Sequence, residues 1–340
     1  MASVFRSLGL FASALVLANC SGELPGSPLA CQPISVETPD GLLIGGEDLA
    51  VLNADTVLVS AHNRRAPHAH PAGVYAVKIT PEEKTWTARP VLSLEADHMP
   101  KGFALSEDTS QLALIVRPIS KPTQLALFRK SGADYAFDKW LVDANTWPKE
   151  NRQADETYPC NMNDAAFASD DYVFFTDDRK ACSLWQRAYQ NVMGVASGRL
   201  MVMDPDGVVS DLLGSLAFAN GVASIPGGSI LFTETRGQRL QAIGDFGGRP
   251  LPAAPDNISF DAETQTAWIA AFPSLFRYAL FQQGLLENTG SLLFAASEDG
   301  TRLFHTKDFS GATTAVKRGN TLILGGAFSE GLALCEISDA

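Results

Sequence analysis

The feature that most constrains this chain is a step of polar residues leading into a short apolar run, repeated along its length. Gly45 Gly46 Glu47 Asp48 Leu49 Ala50 Val51 opens onto Thr56 Val57 Leu58 Val59 Ser60. Asn163 Asp164 precedes Ala165 Ala166 Phe167, Asn220 precedes Gly221 Val222, and Asp256 Asn257 precedes Ile258 Ser259 Phe260. Aligned on these steps, repeat units begin near Glu47, Gly102, Asn163, Asn220, Asp256 and Ala312, about 35 to 60 residues apart, which leaves room for three or four short strands in each. A second run in each unit is richer in strand formers: Leu112 to Val116, Tyr172 to Thr176, Ser229 to Thr233, Ala267 to Ala270 and Thr321 to Leu324. Turn residues such as Asp170 Asp171, Pro226 Gly227 Gly228 and Arg318 Gly319 Asn320 separate the runs. Six such units predict an all-β, six-bladed β-propeller whose innermost strands line a central channel, and a closed ring can absorb 340 residues as one domain. Helix is scarce. Leu184 to Met193 has the period of one amphipathic helix beside Cys182, either a lid over the channel mouth or the cover of a blade end.

Neighbouring strand residues point to opposite faces, so a pair such as Glu47 Asp48 can serve two sites at different depths. On a propeller the openings at Glu47, Asn163, Asn220, Asp256 and Asn257 converge at one end of the channel. Two carboxylates and three amide carbonyls, with no histidine or cysteine, make a hard-oxygen donor set suited to Ca²⁺. Any one of these residues has an ordinary role as a turn former where a strand begins; five in matching register point to a shared ligand.

The net charge of -12 excludes nucleic acid as a partner, because little here would displace phosphate counterions; it suits cation binding, while most of the acids serve solubility. Arg6 followed by the apolar run Leu8 to Ala18 reads as a signal peptide over 1–19, too short for a permanent span. Leu17 Ala18 Asn19 Cys20 resembles a bacterial lipobox, with Asn19 in place of the usual small residue. The expectation is an exported, periplasmic or cell-surface lipoprotein anchored at Cys20, with a Gly/Pro/Ser tether over 20–30 and the propeller over 31–340. Cys31, Cys160, Cys182 and Cys335 remain, which allows three disulfide pairings. We favour Cys31 with Cys335, joining the domain ends, and Cys160 with Cys182, pinning a shorter loop. Closing a loop of roughly 300 residues removes about 5 kcal/mol of unfolded-state entropy in the chain-entropy model.

The chain also resembles the calcium-dependent paraoxonase and arylesterase propellers and, more distantly, gluconolactonase and regucalcin. The resemblance runs from about Cys31 to Cys335 and rests on Gly46 Glu47 Asp48 Leu49, Pro100 Lys101 Gly102 Phe103, Asn161 Met162 Asn163 Asp164, Phe218 Ala219 Asn220 Gly221, Asp256 Asn257 Ile258 Ser259 with Asp261 and Glu263, and Leu334 Cys335 Glu336. It implies a catalytic Ca²⁺ held by Glu47, Asn163, Asn220, Asp256 and Asn257, and a buried structural Ca²⁺ held by Asp48, Asp164 and the carbonyl of Phe103. It places the family's terminal disulfide on Cys31 and Cys335; Cys160 and Cys182 have no counterpart. The chain departs from the family where it matters most, with Lys101 and Arg117 standing in place of the histidine dyad.

Arginine cannot serve as a base, and lysine can only if its pKa is depressed by several units. Asp256 ranks first as base, then Lys101, then His98 three residues upstream. His62, His68 and His70 read as a rim loop, and pocket walls are expected from Pro118 to Gln124 and Ala271 to Phe276. There is no Gly-x-Ser-x-Gly elbow, His-Glu-x-x-His motif, phosphate loop or dinucleotide fingerprint. The expectation is a calcium-dependent esterase or lactonase of small substrates, touching a membrane only through its lipid. The alternatives are a non-catalytic, calcium-stabilised binder of an anionic ligand, which Lys101 and Arg117 suit, and an enzyme of the strictosidine-synthase type.

Overall fold

A computed structural model describes residues 24–66, 72–95, 97–119, 121–145, 147, 158–168 and 171–337. The expected signal segment, Cys20, His68 and His70 lie outside those residues.

The fold is a six-bladed β-propeller, and each blade is a four-stranded antiparallel meander. The innermost strands are Gly46–Asn53, His98–Leu105, Met162–Phe167, Ala219–Ser224, Ala254–Asp261 and Thr314–Arg318 for blades 1 to 6. Each begins within a few residues of the start expected from the repeat. The second strands, such as Gln111–Pro118 and Thr266–Phe272, carry near-continuous apolar runs, Leu112 to Val116 and Ala267 to Phe272, because a neighbouring blade covers each face. Leu112, Leu114, Ile115, Ile269 and Ala270 are fully buried. Each such Leu or Ile contributes roughly 1.5–3 kcal/mol of transfer free energy.

Ring closure uses the two ends of the chain. Cys31–Thr38 is the outer strand of blade 6, antiparallel to Leu332–Glu336 with Cys31 opposite Cys335, and those two cysteines are disulfide-bonded with Cα atoms 4.0 Å apart. The same strand runs on to pair in parallel with Thr85–Ser93 of blade 1, so blades 1 and 6 share one nine-stranded sheet. Cys160 and Cys182 form the second disulfide. Part of the segment expected as a tether lies against the propeller, where Ser27–Pro28 pairs in parallel with Phe304 and His305 of blade 5.

Among the described residues two helices stand on the face where the innermost strands begin. Leu184–Met193 falls where its periodicity predicted, with a capping box from Ser183 and Gln186 and Gly194 closing it in the left-handed region. Leu184, Trp185 and Tyr189 are exposed, so its apolar stripe is not packed on a blade end. The second helix, Leu275–Gln282, was expected only as loop; Ser274 caps it, and Tyr278 and Phe281 are buried. Among the described residues no helix is long and apolar enough to cross a membrane.

Candidate active site

The polar steps sit at breaks in the ladder. Pairing between first and second strands shifts register between Gly46 and Asp48, Pro100 and Phe103, Met162 and Ala165, Ala219 and Val222, and Pro255 and Ile258. A bulge leaves a residue without a ladder partner and bends the strand, which re-aims its side chain. In five blades that residue faces the axis. The same bulges allow close approach: a Cβ on Gly221 would stand 2.6 Å from Asn257 Cα, and one on Gly102 would collide with Asp164 Oδ1.

Adjacent acids divide as strand alternation predicted. Glu47, Asn163, Asn220 and Asp256 line a cavity of about 270 Å³ at the end of the channel where the strands begin. Asp48, Phe103 and Asp164 line a second cavity of about 410 Å³ further along the axis. Asn257 is buried beside the first cavity and donates from Nδ2 to the Glu47 carbonyl at 3.0 Å.

Around the first cavity the side chains form a chain of hydrogen bonds. Lys101 Nζ donates to Asn163 Oδ1 at 2.9 Å and Asn163 Nδ2 to Asn220 Oδ1 at 2.6 Å. Asn220 Nδ2 donates to Thr235 Oγ1 at 2.8 Å and to Asp256 Oδ1. The Arg64 guanidinium pairs with Glu47 Oε2. Burial pushes the Asp256 carboxyl up to about 7 against the opposing pull of Asn220, Arg64 and Lys101. Burial likewise draws Lys101 down to about 7; Arg64 and Arg117 reinforce the shift and Asp178 opposes it. Tyr278 stacks on Phe272 at 3.7 Å between ring centroids to form an aromatic wall, and burial and Asp256 raise its phenol.

In the deeper cavity Asp48 accepts N–H bonds from Leu49 at 2.9 Å and Phe103 at 3.0 Å, and Asp164 accepts them from Ala165 and Val222, each at 2.8 Å. The contact to Phe103 runs through its amide N–H. Desolvation raises Asp48 to about 6, and Asp164 is pushed well up by burial and by the neighbouring Asp48. Among the described residues no ion pair reaches either carboxylate. Two buried, mutually repelling carboxylates below a ring of carboxylate and amide oxygens form a donor set that fits a hard divalent cation, although Arg64 and Lys101 already supply positive charge to Glu47 and Asn163.

His98 does not join them. Its Nδ1 lies 2.7 Å from Asp97 and 3.6 Å from Glu95, both exposed, and it does not line the cavity: it is paired in register opposite Pro118, ahead of the bulge that holds Lys101. His62 is 2% exposed, which places it in the interior and not on a rim loop. Sequence reasoning missed Arg64, Asp178, Phe218, Thr235, Arg236 and Tyr278, all of which line the cavity. The signal for Tyr278 was present in the Pro273 Ser274 start of a helix; the others sit at strand ends and loops that carry no periodicity.

Fold and site together define a six-bladed propeller with a cavity lined by carboxylates, amides and cationic side chains at one end of its axis. No model of a known protein family matches the chain. Two curated relatives from Arabidopsis thaliana are similar to it: strictosidine synthase-like protein 6, 31% identical over 192 aligned positions covering 48% of this chain and 52% of that one, and strictosidine synthase-like protein 4, 28% identical over 191 positions covering 48% and 52%. The chain thus spans about half the length of the curated relatives it matches. Solved structures sharing the fold include a gluconolactonase from Xanthomonas campestris (TM-score 0.53, 16% identity, covering 94% of this chain and 99% of that one). A luciferin-regenerating enzyme (0.55, 15%, 92% and 96%) and virginiamycin B lyase from Staphylococcus aureus (0.54, 12%, 91% and 100%) share it as well.

Proposed function

We propose that this protein is a calcium-dependent hydrolase of small esters or lactones, exported from the cell. The observation that carries the reading is the meeting of Glu47, Asn163, Asn220 and Asp256, from four different blades, around one cavity. The resemblance to paraoxonases supports it, and the gluconolactonase name borne by a protein of the same fold supports the choice of a lactone. Glu47, Asn163, Asn220, Asp256 and Asn257 would hold a catalytic Ca²⁺, and Asp48, Asp164 and Phe103 a structural one. Bound there, the ion supplies Lewis acidity toward a carbonyl oxygen.

The chain's own residues do the rest. The Phe272–Tyr278 wall excludes water from one side of the cavity and packs the substrate's apolar part. Lys101, drawn down to about 7, is unprotonated often enough at neutral pH to take a proton from an attacking water at Nζ. It displaces Asp256 as the preferred base, because Asp256 already accepts from Asn220 and is needed as a ligand. The test is hydrolysis of phenyl acetate and a lactone panel with calcium, after chelation, and in Asn220→Ala and Asp256→Ala. Activity that survives chelation and both substitutions removes the metal mechanism, and no hydrolysis of any ester favours a non-catalytic binder. The similarity to strictosidine synthase-like proteins supports a second reading, a propeller enzyme of that type; turnover without calcium would favour it.

A further inference from the structure

We propose that the channel mouth carries an anion subsite, so that the substrate is an ester or lactone bearing a carboxylate or phosphate a few bonds from the reacting carbonyl. The substrate class rests on the hydrolytic reading above; the subsite itself does not.

The argument starts from a local inversion of charge. The chain carries a net charge of -12, yet Arg64, Lys101 and Arg236 line the axial cavity. Arg117, Arg179 and Arg187 stand close enough that they repel one another or their neighbours: Arg117 acts on Lys101, Arg64 and Arg187, and Arg179 acts on Arg187 and Arg236. Among the described residues the carboxylates facing this group are Glu47, Asp178 and Asp256. Among the described residues five guanidinium groups therefore confront three acids even with Lys101 neutral, a balance opposite in sign to that of the molecule. A partly enclosed mouth of one sign focuses the field and draws in ligands of the other.

The cluster is also built, in the sense that packing holds its members. Phe218 lies in the cavity wall with φ of 68°, a left-handed conformation unfavourable for an aromatic residue, and its ring carries two of the cations. Arg179 stands 4.7 Å and Arg236 5.7 Å from the ring centroid. Asp178 orients Arg179 through contacts of 2.7 and 3.4 Å. Arg236 reaches the Gln190 carbonyl in the helix Leu184–Met193 at 3.4 Å. Arg187, one turn earlier in that helix, touches Asn161 Oδ1 at 3.5 Å, and its Nε is buried without a hydrogen bond. An incoming carboxylate or phosphate would accept from such donors and relieve their mutual repulsion, and planar guanidinium groups suit both anions.

The experiment uses the full chain and a matched pair of esters, 4-nitrophenyl hydrogen glutarate and its methyl ester. The charged ester should show kcat/KM higher by about tenfold or more, an advantage that shrinks as salt is raised. In the double variant Arg187→Gln, Arg236→Gln the ratio should fall toward one, and Arg117→Gln, from another blade, should lower it independently. Calorimetric titration with glutarate and with glycerol 3-phosphate reads the subsite without turnover, and the tighter of the two identifies the anion. Anion binding that is lost in the double variant, with no ester hydrolysed, upholds the subsite and sinks the hydrolytic reading. Equal turnover of both esters with neither anion bound sinks the subsite and leaves the hydrolytic reading standing. Anion binding that survives the double variant also overturns the proposal.

Discussion

Lys101 Nζ lies 2.9 Å from Asn163 Oδ1, so a positive group of the chain itself sits against one of the oxygens expected to bind a cation. The contact gives Lys101 two separable roles. Lys101→Met should lower kcat about 100-fold or more through loss of the base, while calcium affinity holds or tightens because Asn163 Oδ1 is released. Lys101→His should keep a base and raise lactonase activity above that of the parent. Steady-state kinetics with calcium titration measures both, and a methionine variant of unchanged kcat would show that this position takes no proton.

Calcium stabilisation should grow with pH. Burial raises Asp48 to about 6 and Asp256 to about 7 from an ordinary value of 3.8. Without the metal, the folded chain therefore retains protons that the unfolded chain has shed, and its stability declines as pH rises from about 4 through 7. Calcium binds the ionised carboxylates, so its affinity falls as pH drops through that window. The rise in Tm on adding calcium should be larger at pH 8 than at pH 6 by differential scanning fluorimetry. An equal or smaller rise at pH 8 would count against carboxylate ligation here.

Two glycines hold the site open. Gly221→Ala drives a methyl group to 2.6 Å from Asn257 Cα and Ile258 N, and Gly102→Ala drives one into Asp164. Each should destabilise by about 1–3 kcal/mol, because at both sites the added methyl meets backbone atoms of the next blade within 2.8 Å. Gly214→Ala meets nothing within 4 Å and should stay within about 0.5 kcal/mol. Urea denaturation gives the order, and a neutral Gly221→Ala would contradict the close approach of blades 4 and 5.

Beneath the site Arg199, fully buried, pairs with Asp177 at 2.6 Å and Asp211 at 3.1 Å, while Asp177 accepts the Asn161 N–H at 2.9 Å. Arg199→Met should cost about 3–5 kcal/mol because it strands a buried carboxylate. Adding Asp177→Leu should recover part of that loss. If the double variant is as unstable as the sum of the single ones, the pair is not coupled.

Export as a lipoprotein predicts a mature N-terminus at Cys20 carrying the added mass of its acyl chains. Mass spectrometry of the membrane fraction measures it, and an unmodified N-terminus would refute the anchor.

Much of the fold was legible because propeller blades are local. Strand runs such as Leu112 to Val116 carry their burial in their composition, and the repeat supplies the ring. The ligand candidates Glu47, Asn163, Asn220 and Asp256 were readable because a bulge must recur at one place in each blade. What escaped was whatever depends on the third dimension alone. Arg64 and Arg236 reach the cavity from loops with no period, the helix Leu275–Gln282 was hidden by its brevity, and a spacing of three residues does not show that Lys101 sits in a bulge while His98 stays in the regular ladder.

The outer strand of the last blade is Cys31–Thr38, with Cys31 waiting for a partner 304 residues away. The edge of that strand therefore stays bare until Leu332–Glu336 has been made and brought beside it, so the ring closes only when sequence 304 residues downstream is in place. The inner bulges cannot meet around the axis before that moment. Ligand-binding competence should thus arise all at once when the sixth blade closes, never blade by blade.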